Sequence, residues 1–362
     1  MEKAMQAEMV VELQRAEHSF RLADAVYLFR NEAVSDYAKR SILRMFFIQI
    51  DNLLAIIPRI KNGLPSKSRN DQAARAVIEQ GVLTLRRSYE EAFDLIRDRL
   101  AAHGQPIDLI TLVAWWNSFD YDVVEVLHGD LKEIQSSLEA VGITFMAIPD
   151  YSPLSIPEAS KLSKLTPPMI AADRLAFSRP NTTYLVPCHV TQEKAQIVLS
   201  IIDFLEVDFA LTIIVNGPRT IYLTFLFEIA WMLAIIDLCS LIDNLFVSSS
   251  RDKSLLEYWE GDMKGHALLS ALNSSRNHLF EQTLRGVRNR YSAHLDSASS
   301  LDDSRKLFED IDLRMVNDYA HHLVVGFRKS CGQDPRTRIF LIQNVPLSGV
   351  LEVRNEGSSF GG

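Results

Sequence analysis

An internal repeat constrains the fold of this chain more than any other feature of its sequence. The tetrapeptide Ile-Asp-Asn-Leu at residues 50–53 recurs at residues 242–245, a shift of 192 positions. The segment Arg97–His103 recurs as Arg288–His294, shifted by 191 positions with four of seven residues identical. Two matches that stay nearly in register over more than fifty residues indicate a duplicated structural unit.

The spacing of apolar residues predicts the same kind of secondary structure in both halves. Apolar side chains recur at intervals of three and four positions, which is typical of amphipathic helices, and strand-like alternation is absent from the first 140 residues. The predicted helices cover residues 9–29, 38–60, 73–100 and 109–138 in the first half, and 192–214, 221–247, 255–291 and 304–329 in the second. We therefore expect an all-α fold of two tandem four-helix bundles packed as a pseudo-dimer.

A change in composition separates the two predicted bundles. Prolines are spread among serine and threonine between about residues 148 and 187, as is typical of a linker. The predicted organisation is a helical domain at 1–147, a linker at 148–188, a second helical domain at 189–330 and a C-terminal extension at 331–362. Short strands at 337–342 and 351–353, with 183–186 as a partner, predict a small β extension.

Charge and composition narrow the function classes. The formal net charge of −8 argues against a general nucleic-acid coat protein, so any nucleic-acid contact must be local. Three widely spaced cysteines predict neither a disulfide framework nor a zinc site. The first residues show no secretory signal, which predicts a cytoplasmic protein. The apolar run 221–236 is shorter than the roughly 20 residues of a membrane span and contains Glu228, which favours a buried core helix over a membrane contact.

The repeated Arg-x5-His segments contain the residue types needed for acid–base chemistry on a phosphodiester. His103 and His294 titrate near neutrality and can accept or donate a proton. Arg97 and Arg288 can hold phosphate oxygens and stabilise negative charge in the transition state. The following Asp98 or Asn289 can orient the arginine or the imidazole, so this chemistry needs no metal or other cofactor.

Further residues of the two segments are candidates for substrate contact. Arg99 and Arg290 lie four positions before their histidines and share a helix face with them. Tyr291 is a candidate for stacking on an unpaired base, whereas Phe280 fits better in the core. Six residues of ideal helix turn the chain by about 600°, so the arginine and histidine of one motif meet only where the helix ends or departs from ideal geometry.

With their helical settings, the two segments resemble the HEPN superfamily, whose signature is an arginine, a polar residue and a histidine four to six positions after the arginine. The resemblance implies a metal-independent endoribonuclease that leaves 2′,3′-cyclic phosphates, with two motifs facing each other across a dimer interface. Here one chain would supply both motifs. The resemblance further implies RNA as a partner, a role as a toxin or phage-defence effector and a possible antitoxin; further oligomerisation stays open.

Three alternatives remain open from the sequence. Arginine and histidine in the last turn of a helix also serve as structural caps. A non-catalytic HEPN module that binds a nucleotide or a protein, and a plain helical scaffold, are the competing functions. The second motif is the more basic one, because Arg276, Arg285, Arg288 and Arg290 are expected to face only Glu281 nearby, whereas Asp98 lies inside the first. The repeated Ile-Asp-Asn-Leu segments are interpreted as packing elements, with Asn52 and Asn244 as lesser candidates for the rim of the site, and His128, His321 and His322 as surface or interface histidines.

Overall fold

The protein is described by a computed structural model that covers most of both halves of the chain. The described residues are 2–64, 68–90, 121–146, 148, 151, 153–154, 189–214, 220–248, 253–259, 263–292 and 301–331. Within these ranges the secondary structure is helical and contains no strand, which confirms the all-α prediction at this level. The predicted strands at 183–186, 337–342 and 351–353 lie outside the described residues.

The first half contains long helices close to those predicted. The described elements are α1 (Glu2–Phe29), α2 (Asp36–Gly63), α3 (Arg69–Glu90) and α4 (Tyr121–Glu139). α2 begins at the N-cap Ser35, whose hydroxyl accepts a hydrogen bond from the Ala38 amide at 3.3 Å. α1 packs along α2, and α3 packs along α4.

The second half has more breaks than its apolar spacing predicts. Its described elements are α5 (His189–Ile214), α6 (Ile221–Phe246), α7 (Leu255–Tyr258), α8 (Met263–Ser274), α9 (His278–Val287), a π-helical turn (Arg288–Ser292), α10 (Leu301–Glu309) and α11 (Leu313–Ser330). The predictions of single helices over 255–291 and 304–329 are therefore wrong, while 192–214 and 221–247 are close to the observed helices.

Capping side chains explain two of these breaks. Asn277 Oδ1 accepts a hydrogen bond from the Phe280 amide at 3.1 Å and begins α9. Asp312 Oδ1 accepts one from the Arg314 amide at 2.9 Å and begins α11. A side chain that satisfies the first amides of a helix favours a fresh start over continuation, even where apolar spacing persists through the break.

α6 is the most enclosed of the long helices. It packs along α5 and also contacts α1, α2 and the π-helical turn. α6 and the segment Ala38–Gly63 of α2 are long and apolar enough to cross a membrane, but their most apolar windows are 100% and 83% buried inside the protein. The prediction that residues 221–236 form a buried core helix is confirmed.

An ion-pair cluster lies where α2 meets α5 and α6. Arg44 Nη1 donates to both carboxylate oxygens of Asp237 at 2.9 and 2.8 Å, and its Nη2 donates to Asp208 at 3.0 Å. All three side chains are almost completely buried. Burial raises the pKa of Asp208 well above its ordinary range although Arg44 opposes the shift, and burial likewise raises the pKa of Asp237. Burial thus opposes ionisation of both carboxyl groups, and the attraction of Arg44 partly offsets this effect at each.

The start of the proline-rich segment packs onto this helical body. Glu32, in the turn after α1, accepts hydrogen bonds from the Tyr222 hydroxyl and from the Leu154 amide, both at 3.0 Å. Tyr151 meets the Tyr222 ring edge-on, with ring centroids 5.1 Å apart. The predicted linker therefore begins with residues that contact both halves. At the other boundary, the buried Cys331 is the C-cap residue of α11.

Candidate functional site

The second Arg-x5-His segment begins where α9 changes to π-helical geometry. Arg288, Asn289, Arg290 and Tyr291 all belong to the turn Arg288–Ser292. His294 lies outside the described residues, as do Arg97, Asp98, Arg99 and His103 of the first segment. Short π-helical turns are rare and occur frequently at functional sites. The helix thus departs from ideal geometry at the motif. The six-residue spacing requires such a departure if the arginine and the histidine of one motif are to meet.

Arg288 is held by two neighbours. Its Nη1 donates to Asp243 Oδ2 at 3.3 Å, and its Nε donates to Asn289 Oδ1 at 3.1 Å. Only 12% of the Arg288 side chain is exposed. The side chain of Asn289 therefore contacts the arginine of its own motif.

Asp243 is an acidic residue of this site that is distant in sequence from the arginines it contacts. It lies in the repeated Ile-Asp-Asn-Leu segment of α6, 45 positions before Arg288, and it also accepts a hydrogen bond from Arg285. The expectation that Glu281 is the sole acid near these arginines is therefore wrong. The internal repeat could have pointed to Asp243, because the two repeated segments of the second half contact each other.

The electrostatics of the site depend on Asp243. Burial alone would lower the pKa of Arg285, but the hydrogen bond and the attraction from Asp243 outweigh this effect and raise that pKa. Glu281 is occupied elsewhere, because Arg276 Nε donates to it at 2.8 Å and the Tyr319 hydroxyl also donates to it. The buried Cys239 lies within the electrostatic range of Arg288, yet burial raises the pKa of its thiol to about 12. The thiol is therefore neutral at physiological pH.

The exposed part of the turn is formed by Asn289 and Arg290. Both residues are exposed to solvent. Arg290 makes no ion pair with the part of the chain that the structure describes. A guanidinium in this position can reach a phosphate from outside while Arg288 stays anchored behind it.

The position of Tyr291 corrects its predicted role in stacking on a base. The residue is 1% exposed, and its hydroxyl donates a hydrogen bond to Glu228. His18 stacks on one side of the phenol ring at 5.6 Å between centroids, and Phe308 packs at 5.1 Å. No face of this buried ring is open to a nucleobase, so Tyr291 anchors the turn instead. Phe280 lies in the core, as predicted.

The other candidates from the sequence have structural contacts. Asn244 is buried and donates to the Ser240 carbonyl at 2.8 Å, and Asn52 is buried beside Gln49, so neither lies on an exposed rim. His128 is half-buried rather than fully at the surface: its Nε2 lies 2.9 Å from Asp24 and its ring stacks on Tyr27. His322 is exposed and contacts Ser275 at 3.1 Å.

Comparison of the chain with the models of known protein families, with curated proteins and with solved structures found no match. Any functional conclusion must therefore rest on the residues and contacts described above.

Proposed function

We propose that this protein is a metal-independent endoribonuclease built from two tandem HEPN-like four-helix bundles that pack as a pseudo-dimer. Arg288, Asn289 and His294 form the main half of a composite site, and Arg97, Asp98 and His103 form the other half. Arg290 and Arg99 contact the RNA backbone. The protein acts in the cytoplasm as a toxin or phage-defence effector, under the control of a protein partner.

The observation that carries this proposal is the fixed position of Arg288 in a π-helical turn beside an exposed arginine. Asp243 and Asn289 hold the guanidinium of Arg288 from two sides, at 3.3 and 3.1 Å. A pre-oriented cation needs little rearrangement when negative charge develops on a phosphate. Arg290, exposed on the same turn, adds a cation that substrate can approach from solvent.

The pairing of repeated segments supports a duplicated site. The Ile-Asp-Asn-Leu segment and the Arg-x5-His segment are the two most similar stretches of the halves, and in the second half they contact each other through Asp243 and Arg288. Asp51 and Arg97 occupy the corresponding sequence positions in the first half, which is the arrangement expected of a duplicated site.

The proposed reaction uses the 2′-hydroxyl of RNA as the nucleophile. One histidine accepts the proton of this hydroxyl, and the other donates a proton to the departing 5′-oxygen. The arginines stabilise the charge on the phosphate between these steps. The products carry 2′,3′-cyclic phosphate and 5′-hydroxyl ends, and DNA is spared because it lacks the 2′-hydroxyl.

The test is incubation of the purified protein with end-labelled total RNA in excess EDTA, beside the His294→Ala variant. We expect cleavage with cyclic phosphate ends by the wild type and its loss in the variant. His322→Ala, which changes an exposed histidine outside the motif, serves as the matched control and should cleave normally. Dependence on a divalent cation, or cleavage of an all-deoxy substrate, would refute the proposed mechanism.

One observation favours a second function, a non-catalytic HEPN module that binds a nucleotide or a protein. Arg288 is largely buried and its charge is shared with Asp243, as in an ion pair that merely ties α9 to α6. Expression in cells separates the two functions: a nuclease should be toxic and lose its toxicity with His294→Ala or His103→Ala, whereas a binding module should co-purify with its partner regardless of either change.

A further inference from the structure

The motif turn is anchored in the core through Tyr291. Tyr291 is the fourth residue of the π-helical turn and points into the core, where its hydroxyl donates to Glu228 Oε1. Glu228 is 3% exposed and lies within the apolar helix α6. A buried carboxylate therefore fixes the core-facing side of the turn that carries Arg288 and Arg290.

His18 of α1 completes this anchor. Its imidazole stacks on the Tyr291 ring with 5.6 Å between centroids and 30° between the planes, and its Nε2 lies 3.3 Å from Glu228 Oε1. His18 is 8% exposed. Three buried polar side chains from α1, α6 and the turn thus meet at one point where the first half contacts the second.

Packing alone does not require these residue types. A carboxylate buried in an otherwise apolar helix is unfavourable unless hydrogen bonds compensate it, and apolar residues of similar size would fill the same space. The polar cluster additionally fixes the orientation of the Tyr291 side chain. The hydrogen bond fixes the Tyr291 hydroxyl, and the stacked imidazole fixes the plane of the ring. Because Tyr291 directly follows Arg290, the inward position of the tyrosine determines which way the neighbouring arginine faces.

We propose that His18 and Glu228 are positioning residues for the second Arg-x5-His motif, acting through Tyr291 without touching the substrate. This inference rests on the proposed ribonuclease function and adds that α1 of the first half sets the geometry of the motif in the second. Neither residue follows from the motif itself, since His18 and Tyr291 are 273 positions apart in the sequence.

The test measures the turn and the reaction separately. Hydrogen–deuterium exchange reports on the amides of 288–292, and steady-state cleavage of a short RNA gives kcat and KM. The variants are Tyr291→Phe, which removes the hydroxyl, Glu228→Gln, which keeps the shape of the acceptor, and His18→Phe, which keeps a stacked ring without its nitrogens. Tyr319→Phe is the matched control, because Tyr319 donates to Glu281 in the same manner away from the turn.

We expect exchange at 288–292 to rise roughly 10- to 100-fold in Tyr291→Phe, the range that corresponds to loss of a hydrogen bond to a charged group. Exchange in α5 and α11 should stay unchanged. The same variant should lower kcat and raise KM, because the loosened turn carries both Arg288, which stabilises the transition state, and Arg290, which contacts the RNA backbone. Glu228→Gln, which still offers an acceptor to Tyr291, should show both effects to a smaller degree, and His18→Phe should fall between wild type and Tyr291→Phe.

Unchanged exchange at 288–292 in both Tyr291→Phe and Glu228→Gln would overturn the positioning role, as would an equal effect of Tyr319→Phe. If the wild type cleaves no RNA while exchange changes as expected, the ribonuclease proposal fails and the anchor stands as a device that orders the arginine turn. The two failures are therefore distinguishable.

Discussion

Asp243 Oδ2 accepts a hydrogen bond from Arg288 Nη1 at 3.3 Å, and this contact joins two segments of the second half that each have a counterpart in the first. In the register of the repeat, Asp51 corresponds to Asp243 and Arg97 to Arg288. Both halves therefore contain an aspartate and an arginine whose separation along the chain is the same to within one position.

The first prediction concerns the energetic coupling within each repeated pair. A double-mutant cycle with Asp243→Asn and Arg288→Gln should give about 0.5–1 kcal/mol of coupling in the free energy of unfolding, because the pair is partly exposed to solvent. The repeat predicts a coupling of the same sign between Asp51 and Arg97. Urea denaturation measures both cycles. Additive effects at both pairs would show that the repeated acids and arginines act independently.

The second prediction is that the two motifs contribute unequally to catalysis. His294→Ala and Arg288→Ala should lower the rate of RNA cleavage by about 10²–10⁴, the usual effect of losing a catalytic acid or base. His103→Ala should have a smaller effect because Asp98 places a negative charge beside the phosphate. Asp98→Asn should keep or raise the rate. Circular dichroism verifies that each variant is folded, and an inactive but folded Asp98→Asn would show instead that this aspartate orients a catalytic group.

The third prediction separates the two buried aspartates that contact Arg44. Asp237→Asn leaves the arginine without its charged partner and should lower the free energy of unfolding by about 3–5 kcal/mol. Asp208→Asn should not lower the free energy of unfolding at neutral pH, because burial raises the pKa of Asp208 and disfavours its charged form.

The pH dependence of stability provides a second measurement on the same pair. Since burial raises the pKa of Asp208 in the folded state, its contribution is fully present below about pH 4 and is lost as the pH rises through the folded pKa. The stability of Asp208→Asn relative to wild type should therefore increase with pH. A relative stability that falls with rising pH would mean that Asp208 is ionised in the folded protein.

The fourth prediction is that Cys239 and Cys331 are unreactive in the native protein. Burial raises the pKa of both thiols to about 12, so the thiolate is scarce and inaccessible at pH 8. Alkylation followed by peptide mass spectrometry should modify these two cysteines only in denaturant. Rapid labelling of either one in native buffer would show that α6 or the end of α11 opens readily.

The sequence alone predicts the bounds of helices whose apolar spacing is continuous. It does not predict the helix breaks that polar capping side chains produce. α2 and α6 were predicted to within a few residues because their apolar positions continue without interruption. The breaks at Asn277 and Asp312 were missed because apolar spacing runs through them. Their capping hydrogen bonds oppose that periodicity, and an Asn or Asp in a helical pattern is ambiguous until its partner amide is seen.

The site was predictable in its residue types and not in its contacts. The hydrogen bond between Arg288 and the polar residue that follows it joins adjacent positions, so the sequence alone could suggest it. The contribution of Asp243 required knowledge of how α6 packs beside the turn. The base-stacking role assigned to Tyr291 was wrong because the sequence does not show which side of a π-helical turn faces the core.

The Arg44 cluster combines a cation from the first half with carboxyl groups from the second, which bears on the proposed pairing of the two halves. In the register of the repeat, Arg44 corresponds to Ile236 and Asp237 corresponds to Met45. Two first halves brought together in the same way would place a buried arginine against methionine, and two second halves would place a buried aspartate against isoleucine. An unpaired buried charge costs about 3–5 kcal/mol, a preference of at least roughly a hundredfold for mixed over self-pairing. A chain cut within the 148–188 segment should therefore reassemble as a heterodimer, and neither fragment should substitute for the other.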